Sequence, residues 1–187
     1  MKIFLLLLFF APSFIFAQEA PNIIEQIIKE KQDTSKIYYA DLVFVYRTFE
    51  TKVLNRRKIK AYFIPGPGGT TFVLQKSERN HIAAEFSKMK RSLWPKDLFP
   101  NSQRVANDSA WNYISDFLKK SNYRVHPEKG HQVWWFSKPI YLRNNTLCLI
   151  SFRYMCHDLC GEDELAFYKR NERGRWERYV VIDGGAF

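Results

Sequence analysis

The residues able to do chemistry gather in the carboxyl-terminal half of the chain. Cys156 and Cys160 bracket His157-Asp158-Leu159, a third cysteine stands at Cys148, and Glu162-Asp163-Glu164 follow directly after Gly161. Two thiols on either side of a turn can close a disulfide that fixes it, provided the compartment is oxidising. The loop is short, so in the chain-entropy picture such a bridge stabilises less than one closing a long loop. A Cys148–Cys156 bridge fails if both lie on one strand: eight residues at about 3.3 Å each far exceed the roughly 7 Å a disulfide allows between Cα atoms. The expected pair is Cys156 with Cys160, and Cys148 is then a small buried hydrophobe.

With His157, the same turn offers three metal ligands, whereas structural zinc takes four, usually from two separated pairs. Redox catalysis would call for Cys-x-x-Cys and haem attachment for Cys-x-x-Cys-His; neither occurs. The acidic run lacks the alternating oxygen ligands of a calcium loop and reads as a solvated hairpin end. His81, His126, His131 and His157 show no His-Glu-x-x-His spacing, and no Gly-x-Ser-x-Gly elbow is present. Pro65-Gly66-Pro67-Gly68-Gly69 lacks the Gly-Lys-Ser/Thr ending of a phosphate loop. These patterns supply no catalytic residue, no metal site and no cofactor site.

Aromatic density is the other signal. Val133-Trp134-Trp135-Phe136 stands with Trp111, Tyr113 and Trp176 in the same half. Alternation along a strand sends Trp134 and Trp135 to opposite faces, so one faces the core. The other could form a stacking platform for sugar or base rings, with Lys138 and Arg143 near enough to suit an anionic glycan or nucleic acid. If a helix covers that second face, both tryptophans are buried instead.

These residues need a frame. Asn22 and Glu25 resemble a capping box ahead of Ile23, Ile24, Ile27 and Ile28, which predicts a short amphipathic helix. Lys36 to Phe49 reads as a covered strand, and Arg57 to Ile64 and Thr70 to Gln75 as two more around the Pro/Gly turn. Ile82, Phe86 and Met89 predict a helix over 80–91 with a basic outer side, stopped by Pro95. Lys96 to Val105 reads as a loop, and Asn107-Asp108-Ser109 offers N-cap oxygens to a helix carrying Trp111, Ile114, Phe117 and Leu118. The last third predicts four strands: Val133 to Phe136, Ile140 to Cys156 shortened by a turn at Asn144-Asn145, Glu164 to Arg170, and Arg175 to Ile182. Their connections are short enough to require antiparallel pairing.

The amino end sets the compartment. Met1 and Lys2, the apolar run Ile3 to Phe10 and the small Ala17 have the order of a secretory signal peptide cut after Ala17. The run is too short to span a bilayer, which takes roughly 20 helical residues, and no transmembrane segment is expected after cleavage. Residues 18–187 then form one domain in the periplasm or outside the cell, and losing Lys2 takes the net charge from +10 to +9. A basic exported protein suits an anionic glycan or envelope component, and export fits nucleic acid poorly.

Phe136-Ser137-Lys138-Pro139-Ile140, the Cys156 to Gly161 turn, and Tyr168-Lys169 with Gly174-x-Trp176 form a set similar to a pattern in small exported bacterial proteins of unassigned activity. The resemblance spans about Asp97 to Ile182 and brings no catalytic residues; here Glu162-Asp163 stand where small residues are usual. The expected fold class is α+β: an antiparallel sheet ending in a four-stranded meander, with helices on one face, in the rough order of a nuclear-transport-factor-2 cone. The expected role is non-enzymatic binding or interaction. The alternative is an envelope enzyme whose pocket is assembled from residues distant in sequence.

Overall fold

The computed structural model describes residues 23–31, 37–61, 71–110, 112, 114–115, 132–157 and 160–186, without the side chains of Lys60, Cys156, His157 and Cys160. The expected signal peptide over 1–17, the Pro65 to Gly69 turn, Trp111, Phe117, Leu118 and the Cys156–Cys160 bridge lie outside the described residues. The chain divides into two units, Met1–Thr34 and Ser35–Phe187. In the first, α1 occupies residues 23–31, as the isoleucine spacing predicts, and Gln26 Nε2 donates to Glu30 Oε1 one turn on at 2.9 Å.

The second unit is α+β. Its strands are β1 (Ile37–Ala40), β2 (Lys58–Lys60), β3 (Thr71–Val73), β4 (Ser102–Val105), β5 (Val133–Phe136), β6 (Ile140–Leu142), β7 (Leu147–His157), β8 (Cys160–Arg170) and β9 (Trp176–Ala186). A seven-stranded sheet runs β4-β1-β5-β7-β8-β9, with β6 also on β7, and β2 pairs β3 separately. The predicted antiparallel meander is present from β5 to β9. In addition β1 pairs in parallel with both β4 and β5, which makes the sheet mixed.

Two turns follow from residue type. Arg143, Asn144 and Asn145 all have φ between 53° and 62°, a conformation asparagine tolerates, and they join β6 to β7 where the Asn-Asn pair predicts a turn. Between β8 and β9, Gly174 has φ 75°, and the Asn171 side chain accepts the amides of Arg173 and Arg175 at 3.0 and 2.9 Å.

The Ser-x-Pro element has a structural job. Phe136 faces Phe152 and Ile140 faces Leu149, so three residues of one chain oppose two of the other, and β5 and β6 form one broken strand. Pro139 has no amide to give. Ser137 repairs the ladder: its amide donates to the Ser151 carbonyl and its hydroxyl accepts the Ser151 amide, both at 2.8 Å in the core. Ser137→Ala leaves that buried amide without its acceptor, and a loss of about 1–3 kcal/mol is expected in urea unfolding.

Several elements depart from expectation. The strand predicted over Lys36 to Phe49 stops at Ala40, because the next residues bond to different partners: Asp41 to Val105, Val43 to Ser92 and Phe44 to Phe136. The chain then crosses the sheet and winds into a π-helical turn, Glu50–Leu54, whose preceding Phe49 stacks on Phe86 at 4.3 Å. The segment read as a loop contains β4, a polar edge strand whose Gln103 is exposed. The helix predicted from Asn80 begins at Lys76: α2 is Lys76–Met89, opened by a Gln75/Glu78 capping box in which Glu78 Oε2 accepts the Gln75 amide at 2.7 Å. Its Ile82, Phe86 and Met89 are buried as predicted. Cys148 is fully buried, also as predicted.

Candidate functional site

Strand alternation builds two different sheet faces from neighbouring residues. Trp134, Phe136, Phe152 and Tyr154 share one face, and Val133, Trp135, Arg153 and Met155 the other. Trp134 is fully buried, stacked on Phe136 at 5.3 Å and against Tyr154 at 4.8 Å. Trp135 lies in a smaller core with Tyr38, Val105 and Ile114, and its edge reaches a groove. Of the two candidate stacking residues, Trp135 is thus the one at a cavity. Both are buried to nine-tenths or more, because each sheet face is covered.

The acidic run is not a hairpin end. β8 starts at Cys160 rather than Glu164, so Glu162, Asp163 and Glu164 sit inside a strand and alternate across the sheet. Asp163 pairs with Arg153 and joins the Trp135 face. Glu162 and Glu164 take the opposite face, where Glu164 is 3% exposed and bound by Tyr168 at 2.8 Å and Arg178 at 3.0 Å.

On the Trp135 face, residues 44–52 cross the sheet and are pinned by successive bonds. The Phe44 amide donates to the Phe136 carbonyl at 2.7 Å, Tyr46 Oη to Asp163 Oδ1 at 3.0 Å, and Thr48 Oγ1 to Asp183 Oδ2 at 2.6 Å. Lys52 pairs with the same Asp183 oxygen at 2.7 Å. Burial works against ionising Asp183, yet Lys52 and Thr48 hold its carboxyl below the usual range.

Between this crossing segment and β7 lies a groove of about 520 Å³ lined by Phe44, Arg47, Asn107, Trp135, Arg153, Met155 and Asp163. Trp135 Nε1 donates to Asn107 Oδ1 at 2.9 Å, and the Asn107 amide donates to Asp41 Oδ1 at 2.9 Å, so the indole is held in orientation through the short 3₁₀ turn Asn107–Ser109. Arg153 Nη2 donates to Asp163 Oδ2 at 2.9 Å, and its guanidinium lies 5.5 Å from the centre of the Phe44 ring. Arg47 is exposed at the edge. Burial first, and then the Asp163 carboxylate, push the Tyr46 phenol well above its ordinary pKa, so Tyr46 keeps its proton and acts as a donor.

That shift has a measurable sign. A group whose pKa is raised on folding contributes stability that is complete below its unfolded pKa of about 10 and is lost as pH rises beyond it. Wild type is therefore expected to lose stability between pH 9 and 11 relative to Tyr46→Phe, the two urea midpoints converging as pH rises. Parallel midpoints across that range contradict the Tyr46–Asp163 bond.

The arrangement offers an oriented indole, two guanidiniums and a carboxylate already held by two donors. It is suited to recognising an anion. Among the described residues no cluster of His, Cys, Asp or Glu could hold a metal ion, and no helix is long and apolar enough to cross a membrane. No family model, curated protein or solved structure matches this chain.

Sequence reasoning singled out Trp135 but missed Tyr46, Arg47, Asn107, Arg153 and Asp163. One signal was available: strands folding back about position 158 set Arg153 opposite Asp163. Lys138 and Arg143, expected near the tryptophans, are not in the groove lining; Arg143 instead pairs with Glu78 at 2.8 Å.

Proposed function

We propose that this protein is an exported, non-enzymatic binding protein that receives an anionic partner, such as an acidic glycan or envelope component, in the Trp135 groove. The observation that carries this is the placement of Trp135 directly opposite Arg153 on neighbouring strands, in one groove with Arg47. Phe44, Met155 and the edge of Trp135 supply apolar wall, and the guanidiniums supply charge-assisted, directional bonds to carboxylate or sulfate. The overall positive charge adds attraction at a distance.

Heparin chromatography against salt tests it. The double variant Arg47→Gln/Arg153→Gln is expected to elute at markedly lower salt than Lys76→Gln/Arg173→Gln, which removes the same charge from exposed positions elsewhere. Absence of retention by wild type at low ionic strength, or equal shifts for the two variants, removes the proposal. Intact mass of the exported protein checks the remainder: a chain starting at Gln18 and lacking two hydrogens is the expected product, with a Cys156–Cys160 disulfide.

A further inference from the structure

A second surface, sharing no residue with the Trp135 groove, carries a denser positive charge. Between Glu50 and Glu78 the sequence holds Lys52, Arg56, Arg57, Lys58, Lys60 and Lys76 and no acidic residue. The two bordering acids are occupied, Glu50 by Lys90 and Glu78 by Arg143, each at 2.8 Å, and Lys52 pairs with Asp183. Arg56, Arg57, Lys58 and Lys76 are exposed, and among the described residues none of them meets a carboxylate.

Local structure turns these cations outward around an apolar side chain. β2 and β3 form a two-stranded ribbon in which Ile59 pairs with Phe72 on the buried face and Lys58 with Val73 on the outer face. Phe72 packs against Phe167 at 4.8 Å and Tyr179 at 6.1 Å, which seats the ribbon on β8 and β9. Val73 is 48% exposed, and a cavity of about 300 Å³ beside it is lined by Arg57, Leu74, Gln75, Lys76 and Arg79. Arg79 is fixed there by donating Nη1 to the Leu74 carbonyl at 3.1 Å. The first turn of α2 is already closed by its own Gln75/Glu78 capping box, so the attraction for anions comes from the side chains.

An exposed valine inside such a cluster discriminates between partners. An acidic glycan pairs with the cations and leaves the valine in water. An anionic bilayer takes both, because its phosphates meet the cations while its interfacial region receives the apolar side chain. We propose that the outer face of the β2–β3 ribbon, with the start of α2, docks this protein on an anionic lipid bilayer. Arg57, Lys58, Lys76 and Arg79 lie against the headgroups and Val73 enters the interface. Each lysine or arginine held near an anionic leaflet strengthens binding roughly fivefold, so a handful suffices for reversible attachment without a spanning segment.

Sedimentation of the exported protein with lipid vesicles tests this. Wild type is expected to bind mixed phosphatidylglycerol–phosphatidylcholine vesicles at low ionic strength, to be released by high salt, and to leave vesicles of phosphatidylcholine alone unbound. Arg57→Gln/Lys58→Gln, at exposed positions compatible with an intact fold, is expected to weaken vesicle binding about 30-fold. Arg47→Gln/Arg153→Gln removes the same charge at the groove and is expected to weaken it far less. Val73→Thr keeps the shape and the charge, and is expected to cost about threefold in vesicle affinity by losing apolar contact.

Equal binding to phosphatidylcholine alone, or equal losses for the two charge pairs, overturns the proposal. So does an unchanged vesicle affinity in Val73→Thr beside a large loss in Arg57→Gln/Lys58→Gln, which assigns the surface to a soluble polyanion instead.

Discussion

Trp134→Ala is expected to destabilise the protein by about 3–5 kcal/mol, the range for deleting a fully buried large aromatic. The ring has no exposure, lies parallel to Phe136 within 8°, and also meets Phe152 at 5.9 Å and Tyr154 at 4.8 Å. Small domains are stable by only about 5–15 kcal/mol, so this single change removes a large share of the margin. Trp135→Phe is the informative contrast. It keeps an aromatic ring in the wall and loses one hydrogen bond to Asn107, worth about 1 kcal/mol, while disturbing the groove. Trp135 also packs with Tyr38, Val105 and Ile114, so the conservative change keeps its part in the sheet and isolates its bond at the groove. Chemical denaturation of the two variants measures the separation, and equal losses contradict it.

Arg178→Gln is the second large effect. Glu164 is almost wholly buried, and its two oxygens are held by Tyr168 and Arg178. Burial works against ionising Arg178, but the Glu164 carboxylate beside it raises its pKa overall, so the guanidinium keeps its charge. Removing one partner of a buried pair commonly costs 3–5 kcal/mol, because the other charge is left uncompensated. Here the arginine side chain is 47% exposed and water takes over part of its role, so about 2 kcal/mol is expected. Glu164→Gln added to Arg178→Gln should recover much of that loss, since no charge then remains buried. A double variant less stable than either single variant contradicts this account.

Much of the fold was legible in local signals. The isoleucine spacing of α1, the buried stripe of α2, the Asn144-Asn145 turn and the meander from β5 to β9 all rest on periodicity or turn chemistry, which act over a few residues. The parts that were not legible depend on distant partners. Val43, Val45 and Tyr46 alternate like a strand, yet their segment crosses the sheet because Phe136, Asp163 and Asp183 supply its bonds. β4 is polar and short, and only its parallel pairing with β1 makes it a strand. For the site, the aromatic signal drew attention to Trp135, which lines the groove. The acidic run misled, because a Glu-Asp-Glu sequence looks solvated until its strand alternation assigns Asp163 to a groove and Glu164 to the core.

The central claim is that an anionic partner occupies the Trp135 groove rather than the basic surface at large. Hydrogen exchange with and without a heparin-derived oligosaccharide tests it most directly. Binding in the groove is expected to slow exchange in residues 44–47, around Asn107, and in the facing parts of β7 and β8 near Arg153 and Asp163, with α2 and the β8–β9 turn unchanged. Protection confined to α2 or to residues 169–175, with the groove unaffected, would contradict it.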